Sequence, residues 1–95
     1  MENFPKPIKI KIFYDKDLKE ITQKNSEESI VSEGIYFIDL LYFIFSSYPE
    51  ISKIFPPGKL GLLLNGERPN EFDILEDGDE VSLIGVKEVE ETRWN

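Results

Sequence analysis

One stretch of this chain carries a clear helical period. Between Tyr36 and Tyr48, the residues Phe37, Leu40, Leu41, Ile44 and Tyr48 recur at steps of three and four, which places them on one face of an α-helix. Pro49 restricts the backbone of Tyr48 and ends the run. The flanking segments are patterned differently. Ile8, Ile10 and Ile12 alternate with Lys9 and Lys11, the period of a strand with one face buried and one wet, and Phe13 and Tyr14 break that alternation. A second short strand is expected at Ser29 to Val31. Asp15 to Glu28, with Leu18 and Ile21 three apart, reads as a loop or one irregular helical turn. Gly34 punctuates the chain before the helix.

After Pro56, Pro57 and Gly58, Leu60 to Leu64 reads as a buried strand closed by Asn65-Gly66, a pair suited to a type I′ turn. Glu76-Asp77-Gly78-Asp79 is a second turn signal, and Val81 to Ile84 a final strand. The order strand, strand, helix, strand, turn, strand predicts an α+β fold with the helix packed across one face of a mixed sheet. Residues 1–7 are expected to form an N-terminal extension, 8–86 the domain, and 87–95 a tail. Internal repeats and low-complexity segments are absent from the sequence.

Composition then removes whole classes of chemistry. The chain has 95 residues, enough for one domain, and contains neither Cys nor His. Thiolate nucleophiles, disulfides, Cys/His zinc sites and the Ser-His-Asp arrangement each need a missing residue type. With 11 basic against 19 acidic residues the net charge is −8, which argues against nucleic-acid binding. The excess is uneven: Glu67 to Glu91 holds ten acids against Arg68 and Lys87. The apolar block Ile35 to Phe45 is broken by Asp39 and falls short of the roughly 20 residues a membrane span needs. No leader pattern follows Met1, so a cytoplasmic protein without membrane contact is expected.

The acidic run Asp73 to Glu80 fails as a calcium loop. Fixing Gly78 as the invariant glycine places Leu75 and Ile84 at ligand positions, and neither can coordinate a cation. No metal or cofactor is expected, and no constellation supports an enzyme. Two apolar surfaces are better candidates. If Phe37, Leu40, Leu41 and Ile44 face the sheet, then Ile38, Tyr42 and Phe45 point away from it and form a protein-binding patch. The alternative is that Val86, Val89 or Trp94 of the tail folds back to cover them. On the sheet, Phe13, Leu63 and Ile84 share the outward parity if Ile10, Leu62 and Leu83 point inward. Trp94 is read as a docking anchor in the tail.

The ordered series Ile8 to Tyr14, then Gly34 with Leu40-Leu41 and Tyr48-Pro49-Glu50, then Leu64-Asn65-Gly66-Glu67, then Leu75 with Asp77-Gly78-Asp79-Glu80-Val81, resembles the ThiS/MoaD group of ubiquitin-like β-grasp proteins. These are small sulfur carriers of thiamin and molybdopterin synthesis. The resemblance spans most of residues 8–86 and implies a mixed sheet of four to five strands with one main helix across it. It also implies a partner that is an E1-like adenylyltransferase or the large subunit of molybdopterin synthase. TGS domains, a regulatory β-grasp group, share the Asn-Gly and Asp-Gly-Asp pieces.

The chain departs from the carrier pattern at one place. It contains no Gly-Gly pair, and where the resemblance puts the terminal glycines it reads Val89 and Glu90. The implied function is a non-enzymatic protein that docks to a protein partner or to a second copy of itself, as a homo-oligomer. The alternatives are a true sulfur carrier with an atypical C-terminus and a TGS-like binding module.

Overall fold

The computed structural model describes residues 4–56 and 58–85. Strands β1 (Pro7–Tyr14), β2 (Ser26–Ser32), β3 (Leu60–Leu64) and β4 (Glu80–Gly85) form one sheet in the order β2-β1-β4-β3. β1 runs parallel to β4 at its centre, while β2 and β3 pair antiparallel at the edges. Helices α1 (Lys16–Thr22), α2 (Phe37–Ser47) and α3 (Glu50–Ile54) complete the chain.

The alternation in β1 works as its spacing dictates. Ile8, Ile10, Ile12 and Tyr14 enter one core with Val81 and Leu83 of β4, and Phe37, Leu40, Leu41 and Ile44 of α2 close over them. Leu75 is buried in the same core, delivered by the segment that precedes β4. Asp39 fixes the start of α2 by accepting a hydrogen bond from the Tyr36 N–H at 3.0 Å.

Three elements differ from the expectation. The stretch expected as a loop or single turn holds the two-turn helix α1, because Asp15 caps it by accepting the Leu18 N–H at 2.9 Å while Leu18 is fully buried. β2 begins at Ser26 rather than Ser29, since pairing with β1 extends from Pro7↔Ser32 to Phe13↔Ser26. Pro49 does end α2, but it also starts α3, which carries Ile51 and Phe55 into the core.

The turn residues serve backbone hydrogen bonds. Asn65 and Gly66 both take positive φ, 52° and 83°, the signature of a type I′ turn. Its ladder closes only as far as Glu67, and the chain then wanders before β4. The Asn65 side chain spans that detour, donating to Asp79 and accepting from the Glu80 N–H, each at 2.9 Å. Within the acidic run, Asp77 accepts the Lys9 N–H and Asp79 the Glu76 N–H, each at 2.8 Å. These carboxylates shape the entry to β4. Among the described residues no helix is long and apolar enough to cross a membrane.

Candidate functional site

Each described helix packs its buried residues into the core on one side of the sheet, which leaves the other side uncovered by any of them. Parity sends Pro7, Lys9, Lys11 and Phe13 of β1 to that outer side, together with Glu80, Ser82 and Ile84 of β4. Register then sorts the face into halves. Toward the start of the parallel pair lie Lys9 and Lys11, with the exposed Ile30 of β2 opposite Lys9, and Lys11 opposite Glu28 on one flank and Glu80 on the other. Toward its end Ser82 is flanked by Phe13 and Leu63, and Ile84 lies opposite Gly61.

This apolar half is the one next to Gly85, where the described part of β4 stops. Phe13 and Leu63 are half-buried and Ile84 is 37% exposed, so three strands each contribute one apolar residue to this half, with Ser82 between Phe13 and Leu63. Lys11 Nζ lies 5.8 Å from the centre of the Phe13 ring, bridging the polar and apolar halves. The expected inward partners also hold: Ile10 and Leu83 are fully buried, and Leu62 packs against the core.

On the opposite side, α2 exposes a second surface whose membership differs from the expectation. Ile38 and Tyr42 are exposed, Tyr42 at 76%, but Phe45 is half-buried and packs against the core. Its place is taken by Phe43, 55% exposed, a residue that step counting does not single out. At the C-terminal end of α2 both Phe45 and Tyr48 pack against the core, so the buried face there is wider than the stripe of Phe37, Leu40, Leu41 and Ile44. Tyr36 extends this surface, its ring meeting Phe72 edge-on at 5.6 Å. Val89 and Trp94, and the covering role weighed for Val86, lie outside the described residues.

A polar cluster ties β1, β2 and the end of α2 together. The Tyr14 hydroxyl donates to Glu27, the Tyr48 hydroxyl donates to the same oxygen at 3.1 Å, and Lys24 donates to the other oxygen at 2.8 Å. Burial pushes Glu27 up, but the bonds from Lys24, Tyr14 and Tyr48 outweigh it and hold the carboxyl below its ordinary range. Burial, and then the bond to Glu27, push Tyr14 far above the usual phenol range. The cluster borders a small cleft of about 100 Å³, where Glu27 and Tyr48 are joined by Glu28, Ser29, Phe43 and Ser47. An open cleft of about 610 Å³ lies near the start of β1, lined by Pro5, Ile8, Gly34 and Ile74 with Glu33, Glu76 and Asp77 beside them. Ile8 places it at the end of the sheet remote from Gly85.

An edge-central-central-edge sheet with a parallel middle pair and one long helix across it is the ubiquitin-like β-grasp fold. No protein-family model matches the chain. In sequence it resembles the molybdopterin synthase sulfur carrier subunit of Chlamydomonas reinhardtii, 27% identical over 77 residues that make up 81% of this chain and 93% of that protein. In structure it is similar to a Pyrococcus furiosus protein described as a putative molybdopterin converting factor, subunit 1, at a TM-score of 0.74 and 22% identity, covering 84% of this chain and 99% of that one. It is also similar to the small archaeal modifier protein 1 of Haloferax volcanii, at a TM-score of 0.72 and 20% identity, covering 84% and 97%. The resemblance to the ThiS/MoaD group therefore holds in both sequence and fold.

Proposed function

We propose that this chain is a non-enzymatic docking protein of the molybdopterin synthase sulfur-carrier type, and that it meets its partner through the apolar half of the outer sheet face. The observation that carries this reading is the placement of Phe13, Leu63 and Ile84 from three strands on a face that no described helix covers. Apolar area at the centre of a small interface supplies most of its binding energy, and a polar rim of the kind formed by Lys9, Lys11, Glu28 and Glu80 sets orientation.

The resemblance implies the partner class, an E1-like adenylyltransferase or a molybdopterin synthase large subunit, and the Chlamydomonas relative's name as a molybdopterin synthase subunit supports the second. Native mass spectrometry of the chain with each of these proteins from its own organism tests the proposal. Ile84→Asp is expected to abolish the complex while the double variant Tyr42→Asp, Phe43→Asp retains it. The reverse pattern moves docking to α2, and a chain that assembles only with itself makes that surface a homo-oligomer contact.

A second reading is favoured by the sulfur-carrier name of the Chlamydomonas relative. Here the chain is a cosubstrate whose C-terminal carboxylate is activated and converted to a thiocarboxylate. Incubation with an E1-like enzyme, ATP and a sulfur donor then yields an intact mass in which one oxygen is replaced by sulfur. An unchanged mass removes this reading and leaves docking standing.

A further inference from the structure

β2 lies at one edge of the sheet, and its free side lacks the usual guards. Its pairing with β1 runs unbroken from Pro7↔Ser32 to Phe13↔Ser26, with no bulge, and it contains neither Pro nor Lys. The Glu33 N–H donates to the Lys6 carbonyl and the Tyr14 N–H to the Asn25 carbonyl, each at 2.8 Å. Backbone groups alternate sides in an antiparallel ladder, so Glu27, Ser29 and Val31 turn theirs toward β1, while Glu28, Ile30 and Ser32 turn theirs outward. Among the described residues no strand lies beyond β2 to receive them. β3, at the opposite edge, is less open: Leu64 exchanges backbone bonds with Glu67 in both directions.

The side chains of this edge match its backbone. Ile30 is 61% exposed, well above the 37% of Ile84 on the same face of the sheet. Both acids of β2 already have partners within the chain: Glu27 accepts from Lys24 and two tyrosine hydroxyls, and Glu28 lies across from Lys11. On the helix side, Ser29 and the exposed Phe43 of α2 line the small cleft of about 100 Å³.

We propose that β2 is a self-pairing edge, to which a second copy of this chain adds antiparallel about a two-fold axis at Ile30, joining two four-stranded sheets into one. The order of residues selects that register. A two-fold at Glu28 sets this carboxylate against its own copy, one at Ser29 sets Ile30 against Glu28, and one at Val31 carries Glu28 past the end of the strand. At Ile30 the isoleucine meets its own copy, Glu28 faces the second copy's Ser32, and Ser29 faces the second copy's Val31, which arrives beside the cleft at Phe43. The outward groups of Glu28, Ile30 and Ser32 then supply one another's hydrogen bonds. β2 carries none of the Phe13, Leu63 and Ile84 patch, so self-pairing and partner docking are independent. A charge of −8 on each copy opposes the pairing, which therefore tightens as salt rises.

Because the chain has no cysteine, engineered ones report the register. Sedimentation equilibrium of the unmodified chain is expected to show monomer and dimer, shifting toward dimer between about 0.01 and 0.15 M salt. Under mild oxidation Ile30→Cys is expected to link into dimers, since facing residues of a hydrogen-bonded pair lie about 5.5 Å apart at Cα, within disulfide reach. Glu28→Cys is expected to stay unlinked, its two copies lying about 14 Å apart along the strands. Ile30→Pro removes an N–H that β1 does not use, so circular dichroism is expected to show a folded chain whose dimerisation is weakened about tenfold or more. Should that variant unfold, Ile30→Lys decides by the same measure. The proposal is overturned by an unmodified chain that stays monomeric, by Glu28→Cys linking as readily as Ile30→Cys, or by a dimer that a folded Ile30→Pro or Ile30→Lys leaves intact. A monomeric chain that still binds a partner protein overturns self-pairing and leaves the docking reading standing.

Discussion

Glu27 shows how one residue can stabilise a fold without forming a site. Its carboxylate collects bonds from two tyrosines and a lysine drawn from three parts of the chain, and Lys24 and Glu27 form an ion pair within this network at 2.8 Å. Because its folded pKa lies below the unfolded one, the stabilisation is present above the ordinary carboxylate range and is lost as pH falls through it. Glu27→Gln is expected to cost about 1–3 kcal/mol at neutral pH. In urea titrations that cost shrinks as pH falls below the ordinary carboxylate range and through the lowered folded pKa, where the wild-type carboxyl itself becomes protonated. A cost that stays constant across this range contradicts the assignment. Gly85→Ala belongs at the same scale: a Cβ there meets the Phe55 ring at 2.7 Å. That overpacking is expected to cost about 1–3 kcal/mol, with part recovered by Phe55→Leu, as read by urea unfolding.

At the scale of elements, α2 presents two kinds of apolar residue that a single substitution series separates. Leu40→Ala is expected to cost about 2–5 kcal/mol, since its side chain is fully buried, whereas Tyr42→Ala stays within about 0.5 kcal/mol. Equal costs in thermal denaturation contradict the placement of these faces. The same helix shows what is legible in advance. Steps of three and four in Phe37, Leu40, Leu41 and Ile44 report burial directly, as does the alternation of Ile8, Ile10 and Ile12. Phe45, expected on the exposed stripe, is half-buried because exposure on a helix depends on what packs against it from elsewhere. α1 is only half legible because Leu18 and Ile21 mark a single turn while the next inward residue, Thr22, is polar; its N-cap Asp15 is the signal that could have found the rest. α3 hides behind Pro49, which stops one helix and starts another. Strand pairing is invisible for a similar reason: parity comes from local spacing, but the neighbours of β4 are set by the whole sheet.

For the whole molecule, the arrangement divides labour between the two sides of one sheet. One side carries all the described helices and the core; the other offers an apolar half beside Gly85 and a charged half beside Lys9, Lys11, Glu28 and Glu80. Under the proposed docking, a chain of net charge −8 is drawn to a basic partner surface. Association is therefore expected to slow as salt rises from about 0.01 to 0.15 M, with dissociation little changed, in stopped-flow mixing with the partner. Salt-independent association contradicts electrostatic steering.

Docking through the sheet face, and not through α2, is decided by the amide chemical shifts of the isotope-labelled chain, followed as unlabelled E1-like adenylyltransferase or molybdopterin synthase large subunit is added. Perturbations are expected to concentrate at Phe13, Leu63, Ser82, Ile84 and Gly85, with Ile38, Tyr42 and Phe43 unmoved. Perturbations confined to 36–45 on α2, with the sheet face silent, contradict docking through the sheet.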